Sequence, residues 1–318
     1  MAGSRRPSSV QRKDDRMVYC GWDGGGTKTR MEVISGDGRH LSEAVFGPLN
    51  LNGASEETVL ETVKQAVGCM RETCVDGCGG LVVGMAGVSN REAAEFVREA
   101  IRGAGYSGPL CLVGDHEIAL AGAVEGPGAI LIAGTGSVLY GRDPEGRLFR
   151  AGGWGYLIDD DGSGYAIGRD ILRAVVRACD GRNEKTVLTE LVLERLQAQQ
   201  VQDIITWLYA PQTGKKEIAS LATLLFPALK DGDASACRIR DRAANDLATL
   251  VLSGWKHAGM RSGELVFTGS VLEQTDEISQ RVWEQVQQAQ PEIRRTEAHG
   301  TPAWGAACMA RQQFGMKT

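Results

Sequence analysis

The 318-residue chain lacks the features that mark several broad classes of protein. No apolar run reaches the ~18 residues that a helix needs to span a bilayer, so we expect no membrane partner. The net charge is -5 and no block of Lys and Arg stands out beyond the first residues, which gives nucleic-acid binding no electrostatic support. Residues 1–16 are polar, without the apolar core of a secretory signal, and are predicted to be a disordered tail.

The eight cysteines lack the spacing of a metal site or of a disulfide framework. Cys69, Cys74 and Cys78 lie close together, but they contain no C-x-x-C pair, and no second half-site with His or Cys follows. Reduced thiols are therefore predicted, as in a cytoplasmic protein.

Glycine, in contrast, is abundant at 42 residues and gathers in short clusters, a pattern typical of loops where backbone approaches a ligand. The first cluster, Asp23–Thr29, joins two strand patterns, residues 17–22 and 30–35. A P-loop or a dinucleotide fingerprint would have its own glycine spacing and would open a helix, and this cluster does neither. It is instead predicted to be a hairpin loop whose N–H groups form an anion-binding nest.

Strand and helix patterns then alternate, which predicts an α/β sheet with helices on its faces. After about a hundred residues the opening pattern recurs, because strand-like residues 129–133 and 138–141 flank the small-residue loop Gly134-Thr135-Gly136-Ser137. This internal repeat predicts two related domains, each presenting a phosphate loop to a shared cleft.

Two further glycine clusters follow the second loop. Gly152-Gly153-Trp154-Gly155 precedes the run Asp159-Asp160-Asp161-Gly162-Ser163, and the strand pattern 264–267 ends at Gly269-Ser270. Helical spacing predicts helices between and after these clusters, over residues 165–178, 185–199, 217–230, 233–260, 275–290 and 301–313.

These clusters, in this order, resemble those of the BadF/BadG/BcrA/BcrD ATPase family, which includes N-acetylglucosamine kinases, within the sugar kinase, actin and Hsp70 superfold. The resemblance runs from about residue 17 to residue 313. It implies an α/β, two-domain, actin-like (ribonuclease H-like) ATPase fold with an interdomain cleft. The implied domains are residues 17–124 and 125–298, with a closing helix in residues 299–318 that returns to the N-terminal domain.

The resemblance also implies the reaction, an ATP- and Mg²⁺-dependent phosphorylation of an amino sugar, with N-acetylglucosamine and its 6-hydroxyl as the expected acceptor. N-acetylmuramic acid, glucosamine and N-acetylmannosamine stay open, because one substituent in a pocket is worth only ~1–3 kcal/mol of discrimination. A cytoplasmic homodimer without a nucleic-acid partner is implied as well.

Three loops match the family's ATP-binding residues. By resemblance, the residues that contact ATP are Gly25, Gly26, Thr27, Lys28, Thr135, Gly136, Gly269 and Ser270. Asp23 is implied to hold Mg²⁺ through water, since this hard cation prefers oxygen ligands and keeps several waters. From the residues alone, Lys28 either contacts phosphate or faces solvent.

The implied sugar-binding residues lie in four further segments and in the second phosphate loop. They are Asn50, Asp115, Gly136, Trp154, Gly155 and Asp160. Asp115 is implied to be the catalytic base, because a carboxylate in hydrogen-bond reach accepts the proton of a sugar hydroxyl. Asn50 belongs to a G-P-x-N motif, and the nearby Asn52 is an alternative for the same role.

Structural roles are open for the same side chains when the residues are considered alone. Asp115 is also suited to cap the helix predicted to begin near Glu117. Trp154 is also suited to the core, and Asp160 to a solvated acidic turn. The family usually has Gly-Asp-Glu-Gly-Ser where this chain has Asp159-Asp160-Asp161-Gly162-Ser163, a departure that concerns the sugar substituent.

Two other functions compete with the kinase. An ATP-driven activator with an iron–sulfur cluster shares the fold, but its cysteine beside the second phosphate loop is missing from Ala133–Ser137. A sugar-sensing regulator would carry a helix-turn-helix ahead of the first loop, where this sequence has sixteen residues before Met17, and a zinc motif that Cys74–Cys78 does not reproduce.

Overall fold

The computed structural model describes residues 17–315 except residues 52, 75–76, 89 and 275, so the predicted disordered tail lies outside the described residues. The chain divides into two compact units, unit 1 (Met1–Glu125 and Ala298–Thr318) and unit 2 (Gly126–Glu297). Within the described ranges, the helices are too short or too polar to cross a membrane.

Unit 1 is built on a five-stranded sheet with the order β3-β2-β1-β4-β5. Its strands are β1 (Val18–Gly24), β2 (Thr29–Ser35), β3 (His40–Phe46), β4 (Cys78–Met85) and β5 (Leu110–Gly114). Its helices are α1 (Glu56–Thr73), α2 (Arg91–Gly103), α3 (Asp115–Ala123) and α12 (Pro302–Phe314). The sheet is mixed, since β1 pairs antiparallel with β2 and parallel with β4, which pairs parallel with β5.

The register of the three parallel strands brings their carboxyl ends to one edge of the sheet. Gly24 at the end of β1 lies opposite Met85 of β4, and Met85 lies opposite Gly114 at the end of β5. Adjacent strands are about 4.8 Å apart. Residues at the ends of β1 and β5 are therefore only two strand spacings apart.

Small residues allow α12 to pack directly on β1 and α3. A Cβ at Gly21 of β1 would lie 2.1 Å from the Ala307 backbone nitrogen, and a Cβ at Gly305 of α12 would lie 2.3 Å from the Gly122 nitrogen. Thr301 caps α12, because its hydroxyl accepts a hydrogen bond from the Trp304 N–H at 3.1 Å, and Pro302 follows in the first turn, where it costs no hydrogen bond.

Unit 2 contains a second five-stranded sheet, with the order β10-β9-β6-β7-β8. Its strands are β6 (Gly128–Ala133), β7 (Ser137–Arg142), β8 (Leu148–Gly152), β9 (Gly263–Thr268) and β10 (Ile293–Arg295). Its helices are α4 (Gly164–Cys179), α5 (Leu188–Leu196), α6 (Asp203–Leu208), α7 (Lys215–Ser220), α8 (Leu225–Lys230), α9 (Ala234–His257), α10 (Ser270–Glu273) and α11 (Asp276–Ala289), with a 3₁₀ turn at Leu221–Leu224. Helices α4 and α9 bury apolar faces in its core.

Two of the predicted helices are shorter in the structure. The predicted helix 185–199 is α5 alone, and it ends where Gln197 takes a left-handed backbone conformation (φ 54°). The predicted helix 217–230 divides into α7, the 3₁₀ turn and α8. Pro227 lies near the start of α8, where the absent N–H is tolerated, and a proline inside a continuous helix would break its hydrogen bonding.

We expect Gly305→Ala to destabilise unit 1 by about 1–3 kcal/mol, because the new methyl group meets backbone atoms that cannot rotate away. Gly68→Ala is the matched control. Gly68 lies inside α1 with no atom within 4 Å of an added Cβ, so alanine should stabilise the protein by about 0.5–1 kcal/mol. Denaturant midpoints of both variants test the pair, and equal midpoints would contradict the packing described for α12.

Candidate active site

The first glycine cluster forms the predicted hairpin loop between β1 and β2. The Gly25 N–H donates to the Lys28 carbonyl at 2.9 Å, which closes the turn and leaves Gly26, Thr27 and Lys28 exposed. Gly24 is required at the end of β1, because a Cβ there would lie 2.5 Å from a methyl of Leu49. The loop therefore presents exposed N–H groups, a hydroxyl and an ammonium on a closely packed base.

The G-P-x-N segment is attached to this loop by two hydrogen bonds. The Leu49 N–H donates to the Gly25 carbonyl at 3.1 Å, and the Thr29 hydroxyl donates to the Gly47 carbonyl at 2.8 Å. Leu49 is fully buried, which anchors the segment. Asn50 is thereby held beside the phosphate loop, while its alternative, Asn52, lies outside the described residues.

Asp115 is the first residue of α3, so this helix begins two residues before the predicted start. The cap contact belongs to Glu117, whose carboxylate accepts a hydrogen bond from the Gly114 N–H at 3.0 Å. The Asp115 carboxylate accepts from the neighbouring His116 N–H at 2.9 Å, and its side chain is 54% exposed. Capping therefore leaves most of this carboxylate open to a ligand.

Asp23 and Asp115 interact electrostatically at the sheet edge where β1 and β5 end. Burial raises the pKa of Asp23, and the negative charge of Asp115 raises it further, while Arg30 and Lys28 lower it. Two carboxylates near one another favour a bound cation, which would relieve their repulsion. Within the described residues no group of three or more metal-binding side chains is present, so a Mg²⁺ held here would need water and phosphate ligands besides Asp23.

The predicted second phosphate loop, residues 134–136, joins β6 to β7 in unit 2. The Gly134 N–H donates to the Gly136 carbonyl at 2.9 Å. The Gly164 and Tyr165 N–H groups of α4 donate to the carbonyls of Gly134 (2.7 Å) and Thr135 (3.3 Å). The loop is therefore tied to the amino-terminal end of α4, where the helix dipole favours an anion.

The buried Asp160 forms an ion pair with the half-buried Lys215. The Lys215 ammonium lies 2.7 Å from the Asp160 carboxylate. The Lys215 side chain is 31% exposed, whereas Asp160 as a whole residue is 4% exposed. A Cβ at Gly136 would lie 2.7 Å from the same carboxylate oxygen, so only glycine fits at this point of the loop. Lys215 was not predicted from the sequence, because 55 residues separate it from Asp160 and no local motif marks it.

The other two aspartates of the run have different surroundings. The Asp159 carboxylate accepts a hydrogen bond from the Trp154 N–H at 3.0 Å, which closes the loop that precedes it, and Asp161 is exposed. Asp159 thus fixes the backbone of the Trp154 segment. The departure from the family pattern at residue 161 lies at the surface.

Trp154 lies outside the core, with 70% of its surface exposed. The Arg150 guanidinium stacks 4.3 Å from the centre of its ring. Gly153 and Gly155 on either side have positive φ angles of 73° and 100°, a conformation that favours glycine. The segment is a tight glycine turn that presents an aromatic face and a cation.

A cavity of about 180 Å³ joins the second phosphate loop to α10. It is lined by Thr135 and Ser270, two residues predicted to contact ATP, and by the ammonium-bearing Lys216 and the aromatic Phe226, which the sequence did not indicate. Gly269 has φ 97°, and a Cβ there would lie 2.5 Å from the Ala133 carbonyl oxygen. Close backbone contact therefore sets this edge of the cavity.

Comparison with known sequences identifies a matching family and relatives named as kinases of amino sugars. The BadF/BadG/BcrA/BcrD ATPase family model matches residues 20–310. An N-acetylmuramic acid/N-acetylglucosamine kinase of Clostridium acetobutylicum is 34% identical, covering 92% of this chain and 98% of the relative. An N-acetyl-D-glucosamine kinase of Dictyostelium discoideum is 32% identical, covering 92% and 97%.

Solved structures share the fold. A candidate N-acetylglucosamine kinase of Chromobacterium violaceum superposes with a TM-score of 0.68 at 24% identity, covering 92% of this chain and 98% of that one. A ROK hexokinase of Thermus thermophilus gives 0.59 at 19% identity, covering 93% and 99%. At these identities the likeness concerns the fold, which is that of the actin-like sugar kinases, as predicted.

We expect Asp115→Asn to lower the pKa of Asp23, because the substitution removes a neighbouring negative charge and leaves the burial unchanged. Carboxyl ¹³C NMR titration of the native chain and the variant measures the shift. Asp37→Asn is the control, since Asp37 is paired with Arg39 elsewhere on unit 1. A pKa of Asp23 that is the same in native protein and Asp115→Asn would contradict the coupling.

Proposed function

Because the chain belongs to the BadF/BadG/BcrA/BcrD ATPase family, we propose that it is an ATP-dependent kinase of amino sugars, with N-acetylglucosamine as the first expected substrate. The observation that carries the proposal is identity of 32–34% over nearly the whole chain with two kinases named for that sugar. The two predicted phosphate loops and the carboxylates of Asp23 and Asp115 would supply the chemistry that such a reaction needs.

Phosphoryl transfer depends on positioning and charge neutralisation more than on covalent help from the protein. In unit 1 the hairpin loop offers N–H groups, the Thr27 hydroxyl and the Lys28 ammonium to phosphate oxygens. In unit 2 the Thr135 hydroxyl and the cavity shared with Ser270 would receive the nucleotide. Lys216 lines the same cavity and adds a positive charge there.

Asp115 is proposed as the base that accepts the proton of the sugar hydroxyl. A base must be ionised and within hydrogen-bond reach of the hydroxyl. The exposed Asp115 carboxylate is within reach of a hydroxyl bound at the sheet edge, because Glu117, and not Asp115, makes the cap contact. Asn50, fixed beside the phosphate loop, has an amide that both donates to and accepts from sugar hydroxyls.

Asp23 is proposed to hold Mg²⁺, which would neutralise charge on the phosphate oxygens when bound. Support comes from the position of Asp23, which lies half-buried near the end of β1, where burial and the negative charge of Asp115 both raise its pKa. Homodimerisation and a cytoplasmic location stay predictions of the resemblance.

The sugar's other contacts are proposed in unit 2, at Gly136, Trp154, Gly155 and Asp160. Asp160 offers acceptors and Lys215 offers donors from the same ion pair. N-acetylmuramic acid is the second candidate, because its carboxylate suits a cation, and Arg150 lies on the face of Trp154. The Clostridium relative is named for both sugars.

We expect ADP release that depends on an amino sugar, highest with N-acetylglucosamine or N-acetylmuramic acid. The panel also contains glucosamine, N-acetylmannosamine, glucose and a sample without sugar, each with Mg²⁺ and ATP. ATP hydrolysis at one rate in every sample would contradict the kinase.

Asp115→Asn serves as the control for that panel. We expect it to lower kcat by about 10²–10⁴-fold, the usual contribution of a general base, while sugar binding remains measurable by calorimetry. Full turnover in this variant would remove Asp115 as the base without contradicting the kinase itself.

Two adjacent lysines of α7 provide a matched pair of variants. Lys215→Met removes the partner of Asp160, so the KM for the sugar should rise with little change for ATP. Lys216→Met removes a cation from the Thr135 cavity, so the KM for ATP should rise instead. If both variants changed the KM for the sugar and the KM for ATP by the same factor, the separate roles of Lys215 and Lys216 would be contradicted.

A further inference from the structure

Two helices of unit 2 present matching polar faces to a groove that the proposed kinase reaction does not use. Helix α4 contributes Asp170, Arg173 and Arg177, and helix α9 contributes Arg238 and Arg242. On each helix these residues follow the spacing i, i+3, i+4 or i+7, which places them on one face. The groove between them has a cavity volume of about 280 Å³.

Positive charge predominates in this arginine groove. Its lining contains four guanidinium groups and one carboxylate, that of Asp170, together with the polar residues Asn183 and Ser235. The formal charges of the lining residues therefore sum to +3. Guanidinium groups are always ionised and present several donors in a planar fork that matches phosphate oxygens.

Asp170 orients part of this cluster. It is only 8% exposed, and its carboxylate lies 3.1 Å from the Arg242 guanidinium and 3.7 Å from that of Arg173. Arg169, on the same helix, lies 3.5 Å away. One buried carboxylate thus holds several arginines in place and neutralises only a fraction of their charge.

Two arginines remain without a carboxylate partner. Across the described residues, no carboxylate oxygen lies within 4.0 Å of the guanidinium of Arg177 or Arg238. Arg238 donates to the Ser235 hydroxyl at 2.9 Å, a neutral acceptor. Asp180 interacts electrostatically with Arg177, but Asp180 forms its ion pair with Arg182. Uncompensated guanidinium groups facing one cavity favour an anionic ligand.

The arginine groove is separate from the nucleotide cavity. None of its lining residues lines the cavity of Thr135 and Ser270. Along α4, thirteen residues separate Gly164 at the phosphate loop from Arg177, which is about 20 Å at 1.5 Å per residue. A ligand in the groove would therefore bind at the same time as a nucleotide.

We propose that the arginine groove binds a small phosphate dianion, either inorganic phosphate or a phosphate monoester. Its volume lies near the lower end of small-molecule sites, which suits a compact anion better than a nucleotide. The inference goes beyond the proposed kinase reaction and stands independently of it, because no residue of the groove belongs to the proposed active site.

Calorimetric titration of the full chain, with ADP saturating, tests the site with two probes, inorganic phosphate and glycerol 3-phosphate. We expect saturable binding of one equivalent. The double variant Arg177→Gln/Arg238→Gln should weaken it at least tenfold while leaving the Asp170 ion pairs intact. Lys256→Gln is the matched control, since it removes one positive charge from the exposed far end of α9, and it should change the affinity less than twofold.

Tighter binding of inorganic phosphate or of glycerol 3-phosphate shows whether the site prefers the free anion or a phosphate monoester. Either result supports the site. Absence of saturable binding to the native chain, or equal affinity in the double variant, would overturn the proposal. So would binding of a polyglutamate peptide through these arginines when both small probes fail. If the double variant does not fold, Arg238→Gln alone and hydrogen-exchange protection of residues 177–183 on addition of phosphate to the native chain decide the question.

Discussion

The placement of two carboxylates, those of Asp23 and Asp115, at one edge of a parallel sheet is the constraint on which the candidate site in unit 1 depends. The parallel register of β1, β4 and β5 brings the two acidic residues to this edge. Burial raises the pKa of Asp23, and the negative charge of Asp115 raises it further. Close packing maintains this arrangement, since a Cβ at Gly84 of β4 would lie 2.2 Å from a methyl of Ile118 in α3. A bound cation would relieve the repulsion between the two carboxylates, which is why this edge is proposed to hold Mg²⁺.

Much of the fold was predictable because glycine clusters and strand patterns are local signals. Both predicted strand–loop–strand hairpins and the family resemblance are confirmed by the structure and the comparisons. The start of α3 was predicted two residues late, because capping by Glu117 is a side-chain contact that periodicity does not reveal. The Lys215 ion pair was missed since it depends on tertiary packing, and the individual roles of the predicted site residues remain predictions.

Helix α4 connects two chemically different regions of unit 2. Its first N–H groups bind the carbonyls of the second phosphate loop, and its later turns carry Asp170, Arg173 and Arg177 into the arginine groove. The apolar face between these polar ends packs in the core, where Ile171 and Val175 are fully buried. A single helix thus supports the predicted phosphate loop at its start and the proposed anion site from Asp170 to Arg177, about 9–20 Å further along its axis.

An amino-sugar kinase transfers the γ-phosphoryl group of ATP to a sugar and not to water. Phosphorus NMR of the native chain with Mg²⁺, ATP and N-acetylglucosamine tests it most directly. We expect a phosphomonoester resonance that grows in step with ADP, with little inorganic phosphate. Inorganic phosphate equal to the ADP formed, and no phosphomonoester with N-acetylglucosamine or N-acetylmuramic acid, would contradict it.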